Sequence, residues 1–161
     1  MNGELHGTDL DLGFVADEQG RTFASPMPPA DLQARVRPDV APRASDLGVI
    51  SGRANLVQAL IVRLKTRQGE LDALGHPGYG SRHHELIGEP NTETNRNLVK
   101  LHVLSCLRQE PRLEEMLAVA VRPVAGPAGR SLVQIEVEAI ARGESTPLNL
   151  VIPFSFTGPL E

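Results

Sequence analysis

Between Leu132 and Phe156 the apolar residues fall on every second position. Val133, Ile135, Val137 and Ala139 form one such row, and Leu148, Leu150, Ile152, Phe154 and Phe156 form another. A period of two fits the pleat of a β-strand and excludes a helix. Gly143–Pro147 supplies the turn between the two runs. A weaker alternation over Met116–Val124 places Leu117, Val119 and Val121 on one side, and Gly126-Pro127-Ala128-Gly129 turns the chain after it. The pattern predicts an antiparallel meander of three strands. Leu132, Gln134, Glu136 and Glu138 make the opposite face of the middle strand mostly wet. Pro153 has no N–H to give a ladder, which puts the last strand at an edge or a bulge.

Upstream the period changes to that of a helix. Leu56, Val57, Leu60, Ile61 and Leu64 predict a helix over 55–66, capped by Ser51 or Asn55 and ended by Gly69. Pro90-Asn91-Thr92 opens a second helix with Asn91 or Thr92 as cap. Its stripe reads as Leu98, Leu101, Leu104 and Leu107, supported by Val99 and Val103, and Pro111 stops it. The fold class is therefore α+β: two helices packed on a small antiparallel sheet. The first fifty residues differ in character. They hold Pro26, Pro28, Pro29, Pro38 and Pro42, and their eight acidic and four basic residues account for the whole net charge of −4. Residues 1–45 read as an extended N-terminal arm with a short strand near Leu10–Val15, and residues 46–161 as the folded domain.

Several function classes are disfavoured by composition. A net acidic chain is a poor nucleic-acid or polybasic membrane binder. Four Phe, one Tyr and no Trp leave little for a stacking platform. The single cysteine, Cys106, excludes an intrachain disulfide and a thiolate zinc site, and reads as a small core hydrophobe. No apolar run reaches the ~18 residues of a membrane-spanning helix. The N-terminal residues lack a basic segment followed by an apolar one, so the expected compartment is the cytoplasm. His83-His84-Glu85 lacks zinc-helix spacing and reads as a solvated pair at a loop end. Glu136 and Glu138 share a wet strand face, and Ser81 has no nucleophile-elbow context. The expectation is no catalytic residue, no metal and no cofactor.

Two motifs carry more information. Gly78-Tyr79-Gly80-Ser81 is a tight loop whose Tyr79 can fill a pocket and bond through its hydroxyl; alternatively it is a loop stitched over the core. Glu110-Pro111-Arg112 is a rigid corner in which a carboxylate and a planar guanidinium flank a proline, suited to a bidentate salt bridge; alternatively it is a helix stop with solvated charges.

The order of these features resembles a known family. It runs from a helix ending Arg63-Leu64-Lys65-Thr66 through Gly69-Glu70, the Pro-Gly-Tyr-Gly-Ser loop, Glu85-Leu86, a second helix, Glu110-Pro111-Arg112 and a meander ending Ile152-Pro153-Phe154. This resembles the lysozyme-like acidic baseplate wedge family of contractile phage tails, which also supplies the sheath initiator of type VI secretion and extracellular contractile injection systems. The likeness covers roughly residues 46–157, and Leu71 stands where many members carry an arginine. It implies a structural protein in six copies around an inner tube. The implied partners are baseplate wedge proteins, tube or tube-initiator proteins, and the terminal arms of the sheath protein. Glu110, Pro111 and Arg112 are the implied wedge contacts, and Tyr79 is a further candidate partner-binding residue. The last strand, anchored by Leu150, Ile152 and Phe154, is the implied acceptor of a sheath arm by β-augmentation. Assembly in the cytoplasm and incorporation into a particle released from the cell follow from the same resemblance. The competing reading is a tail-associated peptidoglycan hydrolase, given the family's name.

Overall fold

Helix α1, Gly52–Lys65, buries Leu56, Leu60, Ile61 and Leu64 on one face. It begins three residues earlier than the apolar run requires, with Ser51 at the N-cap. It stops at Thr66 rather than at Gly69, where the backbone turns extended (φ −79°, ψ 133°), and the Thr66 N–H and Oγ1 both donate to the Val62 carbonyl. The structure, a computed structural model, describes residues 6–12, 15–16, 21–23, 34–36 and 45–158. Most of the Pro-rich lead-in therefore lies outside the described residues.

Helix α2, Glu93–Leu107, is capped by Thr92, whose hydroxyl accepts from the Asn95 N–H. Its buried residues are Val99, Val103, Cys106 and Leu107, whereas Leu98 and Leu101 are exposed. The leucine stripe expected from the sequence is thus rotated off the core. Steps of three residues drift by about 60° each, so Leu98 and Leu107 stand on opposite sides of the helix. Val99, Val103 and Cys106 stay on one side and pack inward.

The main sheet has five strands in the order β2-β3-β9-β8-β7. They are β2 (Val15–Ala16), β3 (Arg21–Phe23), β7 (Leu113–Pro123), β8 (Leu132–Ala141) and β9 (Leu148–Ser155). The meander β7-β8-β9 is antiparallel throughout, as its period-two pattern demands. Along β8 the residues alternate between core and outer face without a break. All five inward residues of the last run, Leu148 to Phe156, are buried. In β7 the expected side is broken at Leu117, which is exposed, while Met116 packs on the core instead. The cause is a register shift between Met116 and Ala118, which turns the intervening side chain over.

The sheet is not purely antiparallel, and the last strand is not an open edge. β3 lies parallel to β9, with Arg21, Thr22 and Phe23 opposite Asn149, Leu150 and Val151. The chain's own N-terminal segment thus occupies the edge expected to be free. A second ribbon pairs β1 (Thr8–Leu10) with β6 (Val49–Ser51), and a third pairs β4 (Ala34–Val36) with β5 (Ser45–Leu47). β1 begins before the strand expected at Leu10–Val15 and ends at Leu10.

Both helices contribute to one core with the inner face of the sheet: Leu60 and Leu64 from α1, Val99 and Val103 from α2, Ile135 and Phe154 from the sheet. Full burial of each such side chain is worth about 1.5–3 kcal/mol. Aromatic contacts add orientation at one end, where Phe154 meets Phe156 and His83 edge-on at 5.1 and 5.0 Å between ring centres.

Candidate functional site

Four segments distant in sequence are linked around Glu110, whose carboxylate is itself reached by Arg63 and Arg112. The C-terminal half of α1 supplies Arg63, the glycine-rich loop supplies Tyr79, the corner after α2 supplies Glu110 and Arg112, and the N-terminal segment supplies the carbonyl of His6.

Glu110 is 5% exposed. Helix α2 ends at Leu107, ahead of the proline expected to stop it, and the turn at Pro111 lets Arg112 fold back on Glu110. Arg112 Nε donates to Oε1 at 2.7 Å, Nη2 donates to Oε2 at 3.1 Å, and the Arg112 backbone N–H donates to Oε1 at 3.2 Å. This is the two-pronged geometry that a guanidinium offers a carboxylate and an ammonium does not. Arg63 Nη2 lies 3.6 Å from Oε2 and adds a second positive charge. Burial by itself pushes the Glu110 carboxyl up; the hydrogen bonds from Arg112 and the charges of Arg112 and Arg63 outweigh it, and the pKa lies below the ordinary value. A carboxylate held ionised by two guanidiniums is suited to clamping, not to donating a proton.

Arg63 also lies over the ring of Tyr79, 4.4 Å from guanidinium carbon to ring centre. Burial raises the Tyr79 pKa, and the Arg63 charge partly opposes it. Tyr79 is held by its ring face; its hydroxyl has no partner among the described residues. The loop is placed by Gly80, whose φ of +96° and crowded surroundings admit no side chain. A Cβ there would stand 2.7 Å from the Thr66 carbonyl oxygen and 2.8 Å from Arg67. That close approach lets the Ser81 N–H donate to the Thr66 carbonyl and the Gln68 N–H donate to the Ser81 carbonyl. The loop is therefore stitched to the end of α1. Ser81 Oγ stands 2.8 Å from His83 Nδ1.

His83 is 2% exposed, so the expected solvated histidine pair is not what forms. Its burial, reinforced by neighbouring His84 and His102, depresses its pKa to about 3. His84 Nε2 lies 2.9 Å from the Leu64 carbonyl oxygen. Burial also raises the Cys106 thiol to about 11, as suits a core residue. Among the described residues, no group of three or more His, Cys, Asp or Glu side chains is placed to hold a metal ion.

The N-terminal segment is tied to this corner through polar side chains whose part the sequence did not disclose. Arg112 Nη1 donates to the His6 carbonyl at 3.1 Å, and Asn55 Nδ2 donates to the same oxygen at 2.8 Å. Gln58 receives the Leu12 N–H and donates to the Leu10 carbonyl. His6 is 1% exposed, with Nε2 3.3 Å from Glu144 Oε1 but out of line for a hydrogen bond. Arg53 bridges Glu144 and the carbonyls of Thr146 and Pro147. Asn55 and Gln58 are polar residues on the buried side of α1, three positions apart. That placement is the signal that could have revealed an extended segment bound there.

The remaining sequence-derived residues lie elsewhere. Leu150, Ile152 and Phe154 are all buried in the core. They anchor β9, and the backbone edge beside Leu150 is taken by β3. Tyr79, Glu110 and Arg112 do come together, with Arg63 joining them. Among the described residues, no helix is long and apolar enough to cross a membrane.

No family model matches the chain, and no curated protein matches it. Among solved structures it is similar to a protein of Geobacter sulfurreducens provisionally named a tail lysozyme. The two are 27% identical with a TM-score of 0.54, over 63% of this chain and 88% of that one.

Proposed function

We propose that this chain is a structural component of the baseplate of a contractile, phage-tail-like injection machine, where it joins the baseplate wedge to the first sheath ring. The single observation that carries the reading is the convergence at Glu110. The separate sequence elements behind the resemblance — the Arg63 helix end, the Tyr79 loop and the Glu-Pro-Arg corner — meet around one buried carboxylate. Likeness to a tail-named structure supports the same setting. The clamp fixes the ends of both helices and the N-terminal segment to one point, which is what a part loaded during contraction needs. A sheath arm added as a strand would gain a row of main-chain hydrogen bonds, and repetition round a ring would multiply a modest joint.

A second reading, a tail-associated peptidoglycan hydrolase, is favoured by the neighbour's name. A lysozyme-like enzyme of this kind needs a carboxyl whose pKa is raised so that it can protonate the leaving glycosidic oxygen. Glu110 is shifted the other way. The two readings separate in one experiment: the purified protein is embedded with peptidoglycan in a gel and, in parallel, sought by mass spectrometry in purified tail-like particles. The structural role requires its presence in particles at a constant ratio to the tube protein and no clearing of the gel. Clearing, with absence from particles, would establish the hydrolase.

A further inference from the structure

We infer that this chain pairs with a second copy of itself through the outward face of α2, the two helices antiparallel across a two-fold axis near Leu101; the inference goes beyond the baseplate reading and does not rest on it. Its starting point is the leucine stripe that the core leaves unused. Val99, Val103, Cys106 and Leu107 bury the inner side of α2, while Leu98 and Leu101 stand 37% and 54% exposed. Thr94, Leu98, Leu101, Ser105 and Arg108 recur at steps of four, three, four and three, and all five are exposed. That is the spacing of a seam between two packed helices. Leu104, half-buried, flanks the seam and widens its apolar part.

The charges at the two ends of the helix select the occupant. Glu93 is its first residue, with Glu89 just before it, and Arg108 follows its last. All three are exposed, and none has an ion-pair partner among the described residues. A parallel pair would set acid on acid and base on base. An antiparallel pair brings the acidic end of each helix to Arg108 of the other, and it opposes the helix dipoles as well. Centred on Leu101, it places Leu98 of one copy beside Leu104 and Ser105 of the other, and Leu101 against its own counterpart. The contact is self-complementary, as a two-fold interface requires. A helix of another protein would have to carry the same order of acid, leucine and base in reverse; a second copy supplies it.

The other charges of α2 lie off the seam. Arg96 and Lys100 are on the flank toward β7, where they line a groove together with Glu93. Glu93 belongs to that flank too, but it stands in the first turn, level with Arg108 of the antiparallel copy. On the opposite flank His102 lies near Arg82 and Glu85, which pair with each other. The contact is one 15-residue helix, about 22 Å long, so the dimer is weak and concentration-dependent.

The test is sedimentation velocity of the full chain over a range of concentrations, together with crosslinking by a short bismaleimide. Cys106 is buried, so introduced cysteines report on their own positions. The expected result is a monomer–dimer equilibrium that Leu101→Asp abolishes while the circular dichroism spectrum stays that of the wild type. Arg108→Glu should raise the dimer Kd about fivefold, the scale of two exposed ion pairs, and adding Glu93→Arg should restore it. Leu101→Cys should crosslink to itself. A mixture of Asn97→Cys and Ser105→Cys chains should crosslink as the mixed pair and not as either homodimer. A monomer at every concentration up to the solubility limit would overturn the inference. So would a dimer that Leu101→Asp leaves intact, a dimer that Arg108→Glu leaves as tight as the wild type, or homodimer crosslinks from 97 and from 105, which mark a parallel pair. Should Leu101→Asp disturb the fold, the crosslinking pattern decides by itself.

Discussion

Arg112 holds Glu110 through three donors at once, two from its guanidinium and one from its own backbone N–H. The two residues are separated only by Pro111, so the corner closes on itself. The Arg112 guanidinium reaches further, to the His6 carbonyl more than a hundred residues away. A tripeptide that reads as a contact for another protein is first of all the clasp that fixes this protein's own N-terminal segment.

Arg112→Ala should therefore destabilise the isolated protein. It leaves the Glu110 carboxylate buried with only Arg63 nearby, and the loss should be about 2–4 kcal/mol, somewhat below that for a fully buried pair. Arg112→Lys should recover little, since a point charge cannot form the two-pronged contact. Urea denaturation monitored by circular dichroism reads both changes. An unchanged midpoint for Arg112→Ala would show that the clasp contributes nothing to the fold.

Gly80→Ala should cost more than Gly75→Ala. Both glycines have positive φ, +96° and +83°, but only at Gly80 does a side chain collide with backbone, that of Thr66 and Arg67. The strained conformation alone is worth about 1–3 kcal/mol. Gly80→Ala should add the displacement of the loop from α1, and with it the loss of the Arg63–Tyr79 contact. Thermal melts of the two variants compare the terms directly. Equal melting temperatures would mean that the close approach at Gly80 is easily relaxed.

Stability should fall on acidification, beginning well above the carboxylate range. His83 is neutral in the fold with a pKa of about 3, against 6.5 ordinarily, so between those values only the unfolded chain binds its proton. Its contribution is complete above pH 6.5 and is lost as pH drops toward 3, with a limiting slope of about 1.4 kcal/mol per pH unit. The lowered pKa values of His84 and His102 act in the same direction. Glu110 adds a second loss below its ordinary 4.5, as protonation breaks the clasp. His83→Phe should make the slope shallower from pH 6.5 down to about 3, leaving the smaller part due to His84 and His102 and the Glu110 loss below 4.5. Denaturant titrations across that range make the comparison.

Gln58→Ala should loosen residues 6–12 with little effect on the sheet. Gln58 replaces two main-chain partners of that segment, at Leu10 and Leu12, and its loss leaves both unpaired. Limited proteolysis should cut within residues 6–12 several-fold faster in the variant while the fragment from α1 onward persists. Equal cutting rates would place the hold on this segment with β1 and Arg112 instead.

The meander was legible because each β8 residue obeys a two-residue alternation that only a strand satisfies, and Leu132–Ile140 states it without interruption. α1 was legible for the parallel reason at helical period. α2 was legible with its Thr92 cap and its Val99 and Val103, but its stripe was drawn by leucine identity instead of angle: Leu98 and Leu101 are exposed, while Val99, Val103 and Cys106 share one side. Leu117 was misplaced by a bulge, which leaves no mark in the alternation on either side of it. The cover on β9 was beyond reach, since β3 is three residues long and pairs with a strand about 130 positions later. Of the clasp, the Glu-Pro-Arg corner was visible as an ion-pair geometry. Its second cation was not, because Arg63 sits in an apolar helix where any basic residue reads as a solvated end.

The proposed role, joining sheath to baseplate, makes this chain necessary for sheath assembly. The most direct measurement is electron microscopy of particles purified from cells in which its gene has been deleted, with the wild-type gene restored as control. Under the proposed role the deletion yields baseplates and tubes without sheath, and restoration returns full sheathed particles. Normal sheathed, contractile particles from the deletion strain would contradict it.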